Sequence, residues 1–81
     1  MTISVKLFAL ARDLAGVGEV SLDLPPACRV ADLKRQLSVR FPGLSPLASR
    51  LLVAVGNDYA ADDTLLEAGA DVACFPPVSG G

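Results

Sequence analysis

The sequence predicts an α+β domain in which a mixed sheet carries one main helix on one face, and three patterns point there. Two stretches near the beginning alternate apolar and polar residues, a third repeats apolar residues at helical spacing, and two short apolar runs follow. With 81 residues there is room for one domain, read as 1–81 with 76–81 as a projecting tail.

Residues Thr2 to Leu10 place Ile3, Val5, Leu7 and Ala9 on one side and Thr2, Ser4 and Lys6 on the other, which is a half-buried strand. Phe8 falls on the polar side, so the alternation predicts an exposed aromatic. Ala11 to Gly16 reads as one helical turn with Leu14 inward, and Gly16-Val17-Gly18 as a turn. Glu19 to Leu24 alternates again, with Val20, Leu22 and Leu24 opposed to Glu19, Ser21 and Asp23, so the first two strands form a hairpin. Pro25-Pro26 ends the second, because proline cannot donate to a ladder.

Val30, Leu33, Leu37 and Phe41 then recur at spacings of three and four, with Asp32, Lys34, Arg35 and Arg40 opposite, giving an amphipathic helix of about three turns. Asp32 in the first turn and Arg40 in the last suit the macrodipole, and Pro42-Gly43 stops the helix. Its beginning lacks an ordinary N-cap, since Cys28-Arg29 stands where Ser, Thr or Asp is expected. Leu51 to Val55 is a continuous apolar run, expected to be a strand buried on both faces or beneath the helix. Gly56-Asn57-Asp58 is a turn with Tyr59-Ala60 as the return, and Asp62-Asp63-Thr64 is placed to cap a helical turn carrying Leu65 and Leu66. Asp71 to Phe75 is the last strand, stopped by Pro76-Pro77. A helix crossing between the second and third strands of a mixed sheet is the β-grasp, or ubiquitin-like, arrangement, here with an extended C-terminal Gly-Gly tail.

Composition narrows the function. The chain has no histidine, which removes imidazole bases, imidazole metal ligands and His-activated nucleophiles, and no metal site is expected. A domain this small has little room for a deep pocket, so an enzyme complete in itself is not expected. A net charge of -2 without a basic cluster argues against nucleic acid. No apolar stretch approaches about 18 residues and no leader pattern opens the chain, so no membrane partner and a cytoplasmic location are expected. Cys28 and Cys74 form no CxxC pair and read as buried, reduced thiols.

The ending Phe75-Pro76-Pro77-Val78-Ser79-Gly80-Gly81 is the most informative segment. Two prolines stiffen the exit from the last strand, and the four residues after them can extend about 13 Å. Glycine at 80 and 81 removes every Cβ, so this backbone can thread a narrow channel and present an unhindered terminal carbonyl carbon. The reactive group would be the α-carboxylate of Gly81. As an acyl adenylate it gains a good leaving group, and a sulfur nucleophile can then displace AMP.

That ending, the opening Val5-Lys6-Leu7-Phe8-Ala9 with Arg12-Asp13-Leu14, and the central Val53-Ala54-Val55 resemble the molybdopterin synthase small-subunit family (MoaD) over essentially the whole chain. The resemblance implies a ubiquitin-like sulfur carrier with no bound cofactor, ATP being used by a ubiquitin-activating-type adenylating enzyme. It implies that Gly81 is adenylated and then thiocarboxylated, with Gly80 as its slender neighbour. Pro76, Pro77 and Val78 would set the tail's direction, and Ser79 would be a hydrophilic spacer. The implied partners are that activating enzyme, a sulfur donor system and a MoaE-like large subunit, in whose active site the tail gives sulfur to cyclic pyranopterin monophosphate within a heterotetramer. Phe8, Phe75 and Tyr59 match positions on the family's partner-facing surface. Lys6, Lys34 and Arg12 offer charge to an acidic partner surface, although lone charges are usually solvated. Two alternatives stay open: a sulfur carrier for thiamine or cysteine synthesis, and a ubiquitin-like protein modifier.

Overall fold

A computed structural model describes residues 1–77. Strands β1 (Thr2–Leu7) and β2 (Glu19–Asp23) pair antiparallel, from Thr2 opposite Asp23 to Lys6 opposite Glu19. They are joined through helix α1 (Ala9–Ala15) rather than a tight turn. Helix α2 (Val30–Arg40) leads through a 3-10 turn (Pro42–Leu44) and the short α3 (Ser45–Ala48) to β3 (Leu52–Val55), β4 (Asp58–Ala60) and β5 (Asp71–Phe75). The sheet order is β2-β1-β5-β3-β4, with β5 in the centre, parallel to β1 and antiparallel to β3. This is the expected α+β, β-grasp architecture.

One face of the sheet is closed by the chain itself. Ile3, Val5, Leu7, Val53, Val72 and Cys74 point down from the strands and meet Val30, Leu33 and Leu37 of α2, with Leu44, Leu47 and Leu66 completing a single core. No charged or polar residue is buried there. Among the described residues no helix is long and apolar enough to cross a membrane.

Several local expectations need correction. The first strand stops at Leu7, and Ala9, placed inward by extrapolating the alternation, is exposed at φ 53° and opens α1. That helix is two turns long and turns Ala11 inward, so Leu14 is 39% exposed. Its packing is close: a Cβ on Gly43 would lie 2.8 Å from the carbonyl oxygen of Leu14. The run from Leu51 to Val55 is not buried on both faces, because Leu51 and Val53 are buried while Leu52 is exposed and Ala54 half-buried. The segment after Asp62 forms no helical turn; Leu66 is buried and Leu65 is exposed.

The same segment explains how α2 begins without an ordinary cap. The amides of Val30 and Ala31 donate to the carbonyls of Thr64 and Asp62 at 3.0 and 2.9 Å, and Leu66 N–H donates to Cys28 at 2.8 Å. Asp32 accepts from the Arg29 amide at 2.9 Å, which holds its carboxyl below the usual carboxylate range. The orphan donors of the first turn are thus met by a distant strap of backbone, which commits the carbonyls of Asp62 and Thr64 and the amide of Leu66 to the start of α2 instead of to a helix of their own.

Candidate functional site: the open face of the sheet

The other face of the sheet has no helix over it, and β1, β3, β4 and β5 all contribute to it. Pleating sends Ser4 and Lys6 of β1, Ala73 and Phe75 of β5 and Leu52 and Ala54 of β3 outward. Phe8, immediately after β1, continues the same parity and is 41% exposed, as the alternation predicted. Tyr59 lies opposite Ala54 on β4 and is the most exposed large apolar side chain among the described residues, at 73%.

The three aromatics expected at a partner surface meet. Phe8 and Phe75 stack with centroids 4.9 Å apart and rings within 8° of parallel. Tyr59 approaches Phe75 edge-on at 6.4 Å and 64°. These arrangements suit the aromatic quadrupole and contribute about 0.5–1.5 kcal/mol per pair beyond burial. Phe75 is half-buried and holds the cluster together between its two partners. Beside it a cleft of about 290 Å³ runs along the sheet, lined by Ser4, Lys6, Phe8, Asp71, Ala73 and Phe75.

Pro76 and Pro77 follow directly, half-buried and outside any strand, so the last strand ends where the prolines predict. Val78, Ser79, Gly80 and Gly81 lie outside the described residues. The aromatic cluster is built around the last residue of β5, and the chain's final segment leaves from the same place.

A family model described as the ThiS family matches residues 5–81. The chain belongs to the ThiS family. Among curated relatives, the molybdopterin synthase sulfur carrier subunit of Chlamydomonas reinhardtii is 34% identical, and the alignment covers 100% of both chains. Among solved structures, SAMP1 of Haloferax volcanii superposes with a TM-score of 0.86 at 30% identity, covering 100% of each chain. The same β-grasp fold occurs in a Helicobacter pylori complex of subunits 1 and 2 of molybdopterin-converting factor, with a TM-score of 0.68 at 20% identity, again over 100% of both chains.

The remaining charges of this ThiS-family chain sort themselves by position. Lys34 is largely buried and pairs with Asp62 at 2.7 Å across a cleft of about 330 Å³ between α2 and α3, so it serves the helical layer. The Arg12 side chain lies over Gly18, where a Cβ would meet its Nε at 3.3 Å. Lys6 alone of the three stands on the open face. The sequence reading singled out Phe8, Tyr59 and Phe75 but missed Leu52, Ala54 and Ala73, which complete the patch. Strand parity with Phe75 marks Ala73, but only the register to β5 places Leu52 and Ala54 on its face. Both thiols are free and buried, and burial pushes Cys74 up to about 12, which makes it a poor nucleophile or ligand.

Proposed function

We propose that this chain is the sulfur carrier subunit of a molybdopterin synthase. The observation that carries the reading is the Phe8, Phe75 and Tyr59 cluster at the end of β5, an apolar patch that the chain's own helices leave uncovered, in a chain whose sequence ends in Gly80-Gly81. The naming of relatives such as the Chlamydomonas protein supports it, and the Helicobacter complex is an example of this fold assembled with a second subunit.

In the proposed cycle the Gly81 carboxylate oxygen attacks the α-phosphorus of ATP within an activating enzyme, and pyrophosphate leaves. A hydrosulfide-level donor then attacks the acyl carbon, and AMP departs with the bonding electron pair. Gly81 is left as a thiocarboxylate. With Phe8, Tyr59 and Phe75 against the large subunit and Pro76, Pro77, Val78 and Ser79 directing the approach, Gly81 reaches that subunit's active site and gives its sulfur to cyclic pyranopterin monophosphate, water replacing the sulfur at the acyl carbon so that Gly81 returns as a carboxylate. The chain needs no base, metal or cofactor of its own for these steps, because the adenylating enzyme and the large subunit supply them.

Incubation with an activating enzyme, ATP and sulfide should add to the intact mass the difference between one sulfur and one oxygen, localised to Gly81. The charged protein should then restore molybdopterin formation by the large subunit. An unchanged mass with an activating enzyme that charges another carrier refutes the proposal. The likeness to SAMP1, one of the small archaeal modifier proteins, favours a second reading as a protein modifier. That reading predicts isopeptide adducts on lysines of other proteins, visible as ladders on a denaturing gel.

A further inference from the structure

The open face has a directional feature besides its aromatic cluster. Register places Lys6 beside Ala73, Ala73 beside Ala54 and Ala54 beside Tyr59, so one row crosses four strands with a cation at one end and a phenol at the other. The two alanines between them make a low floor, about 14 Å across from Lys6 to Tyr59 at the usual strand spacing. Phe8 and Phe75 stand along its side.

Lys6 is exposed and lacks a counter-ion of its own: the ion pairs among the described residues are Lys34 with Asp62 and Arg35 with Asp32. Glu19 is its cross-strand neighbour, yet that carboxylate accepts from the Ser4 hydroxyl at 3.3 Å. Asp71 stands diagonally, opposite Ser4. An apolar partner that covered this row would take the ammonium out of water unpaired, which disfavours the complex. A partner carboxylate at that end removes the cost and fixes which way the partner lies across the strands.

Resting on the docking role proposed above, we infer that Lys6 receives an acidic side chain of the large subunit, which lies in the row floored by Ala73 and Ala54. The pairing sets the orientation of that subunit on the face, while the aromatic cluster supplies most of the contact area.

The test measures affinity of the full chain for the purified large subunit from the same source organism, at low and at high salt. Lys6→Met should weaken binding about tenfold or more and flatten its salt dependence, Lys6→Glu should weaken it further by repulsion, and Lys6→Arg should stay within about threefold of the parent. Thermal midpoints of Lys6→Met and Lys6→Arg should match the parent, because the side chain is exposed, while Lys6→Glu, facing Glu19 across the strands, should melt slightly lower. Glu19→Gln and Asp71→Asn remove rival carboxylates and should leave binding unchanged or tighter. Equal affinity of Lys6→Met and the parent overturns the inference, as does weakening by Glu19→Gln or Asp71→Asn to the level of Lys6→Met. If the parent chain itself fails to bind, the docking role falls and this inference falls with it; if the parent binds and Lys6→Met binds as well, only the inference falls.

Discussion

Cys74 and Phe75 are consecutive in β5, and the pleat sends them to opposite faces with opposite fates. Cys74 is fully enclosed beneath α2, while Phe75 is half-buried between Phe8 and Tyr59 on a face that no helix covers. The inner face is saturated by the chain's own aliphatic side chains. Apolar area on the outer face is stabilised only in part by its own stacking, and its full burial needs a second molecule. On the proposed docking role, inner-face residues govern whether the chain folds, and outer-face residues govern what it binds.

Exchanging one residue on each face tests that division most sharply. Leu33→Ala opens a cavity under the sheet and should cost about 3–5 kcal/mol in urea denaturation, while the molecules that remain folded bind the large subunit as the parent does. Phe75→Ala should cost less than half as much stability but weaken binding at least tenfold, since a central aromatic anchor is lost. A large stability loss with intact affinity at Phe75 would break the comparison.

The thiol beneath β5 gives the comparison a pH signature. Burial raises Cys74 from an ordinary value of 9.0 to about 12. The unfolded chain therefore releases this proton first, so stability is fully present below pH 9 and declines between pH 9 and 12. The slope from this one group is about 1.4 kcal/mol per pH unit. Cys74→Ala should show a correspondingly flatter alkaline decline, measured as the difference between the two urea midpoints across that range. Parallel curves would mean that the inner face admits water at Cys74.

Alternation made most of the sheet legible, and it also marked Phe8 as an outward aromatic, because period two depends on nothing but the pleat. It failed where tertiary partners decide. Leu51 to Val55 is apolar throughout, and only the absence of a helix over Leu52 and Ala54 distinguishes its two sides. Asp62-Asp63-Thr64 has cap chemistry, yet its carbonyls are used by the first turn of α2, a pairing some 30 residues apart that no local pattern records. The segment Ser45-Pro46-Leu47-Ala48 is too short for a period to show. At the site, Phe8, Tyr59 and Phe75 were legible one at a time; their meeting depends on a register that joins β1, β5, β3 and β4.

A smaller effect is expected in the helical layer. Gly43→Ala brings a Cβ against the Leu14 carbonyl, and backbone cannot yield as a flexible side chain would. The cost should be about 1–3 kcal/mol, from the strain of pushing α1 away from the 3-10 turn. Tyr59→Ala, on the outer face, gives up the edge-on contact with Phe75 and should cost about 0.5–1 kcal/mol. Matched thermal midpoints for the two variants would show that α1 gives way freely and that the helical layer is less tightly built than the core beneath it.

The smallest effect concerns the entry to α2, which sets that helix over the inner face. Asp32 is held below its ordinary value of 3.8 first by the Arg29 amide and then by the neighbouring Arg35 guanidinium. A lowered carboxyl contributes stability that is present above pH 3.8 and is lost as pH falls through the lower, folded-state value. Asp32→Asn keeps an acceptor for the amide but gives up the charge. Its urea midpoint should lie slightly below the parent's near neutrality, and the two should converge in strong acid, where the parent carboxyl is protonated as well. The gap should also shrink with added salt, because both charges face water. A gap that persists undiminished in acid would assign the role of Asp32 to shape rather than charge, and the strap of carbonyls from residues 62–66 would then suffice to hold the helix on the sheet.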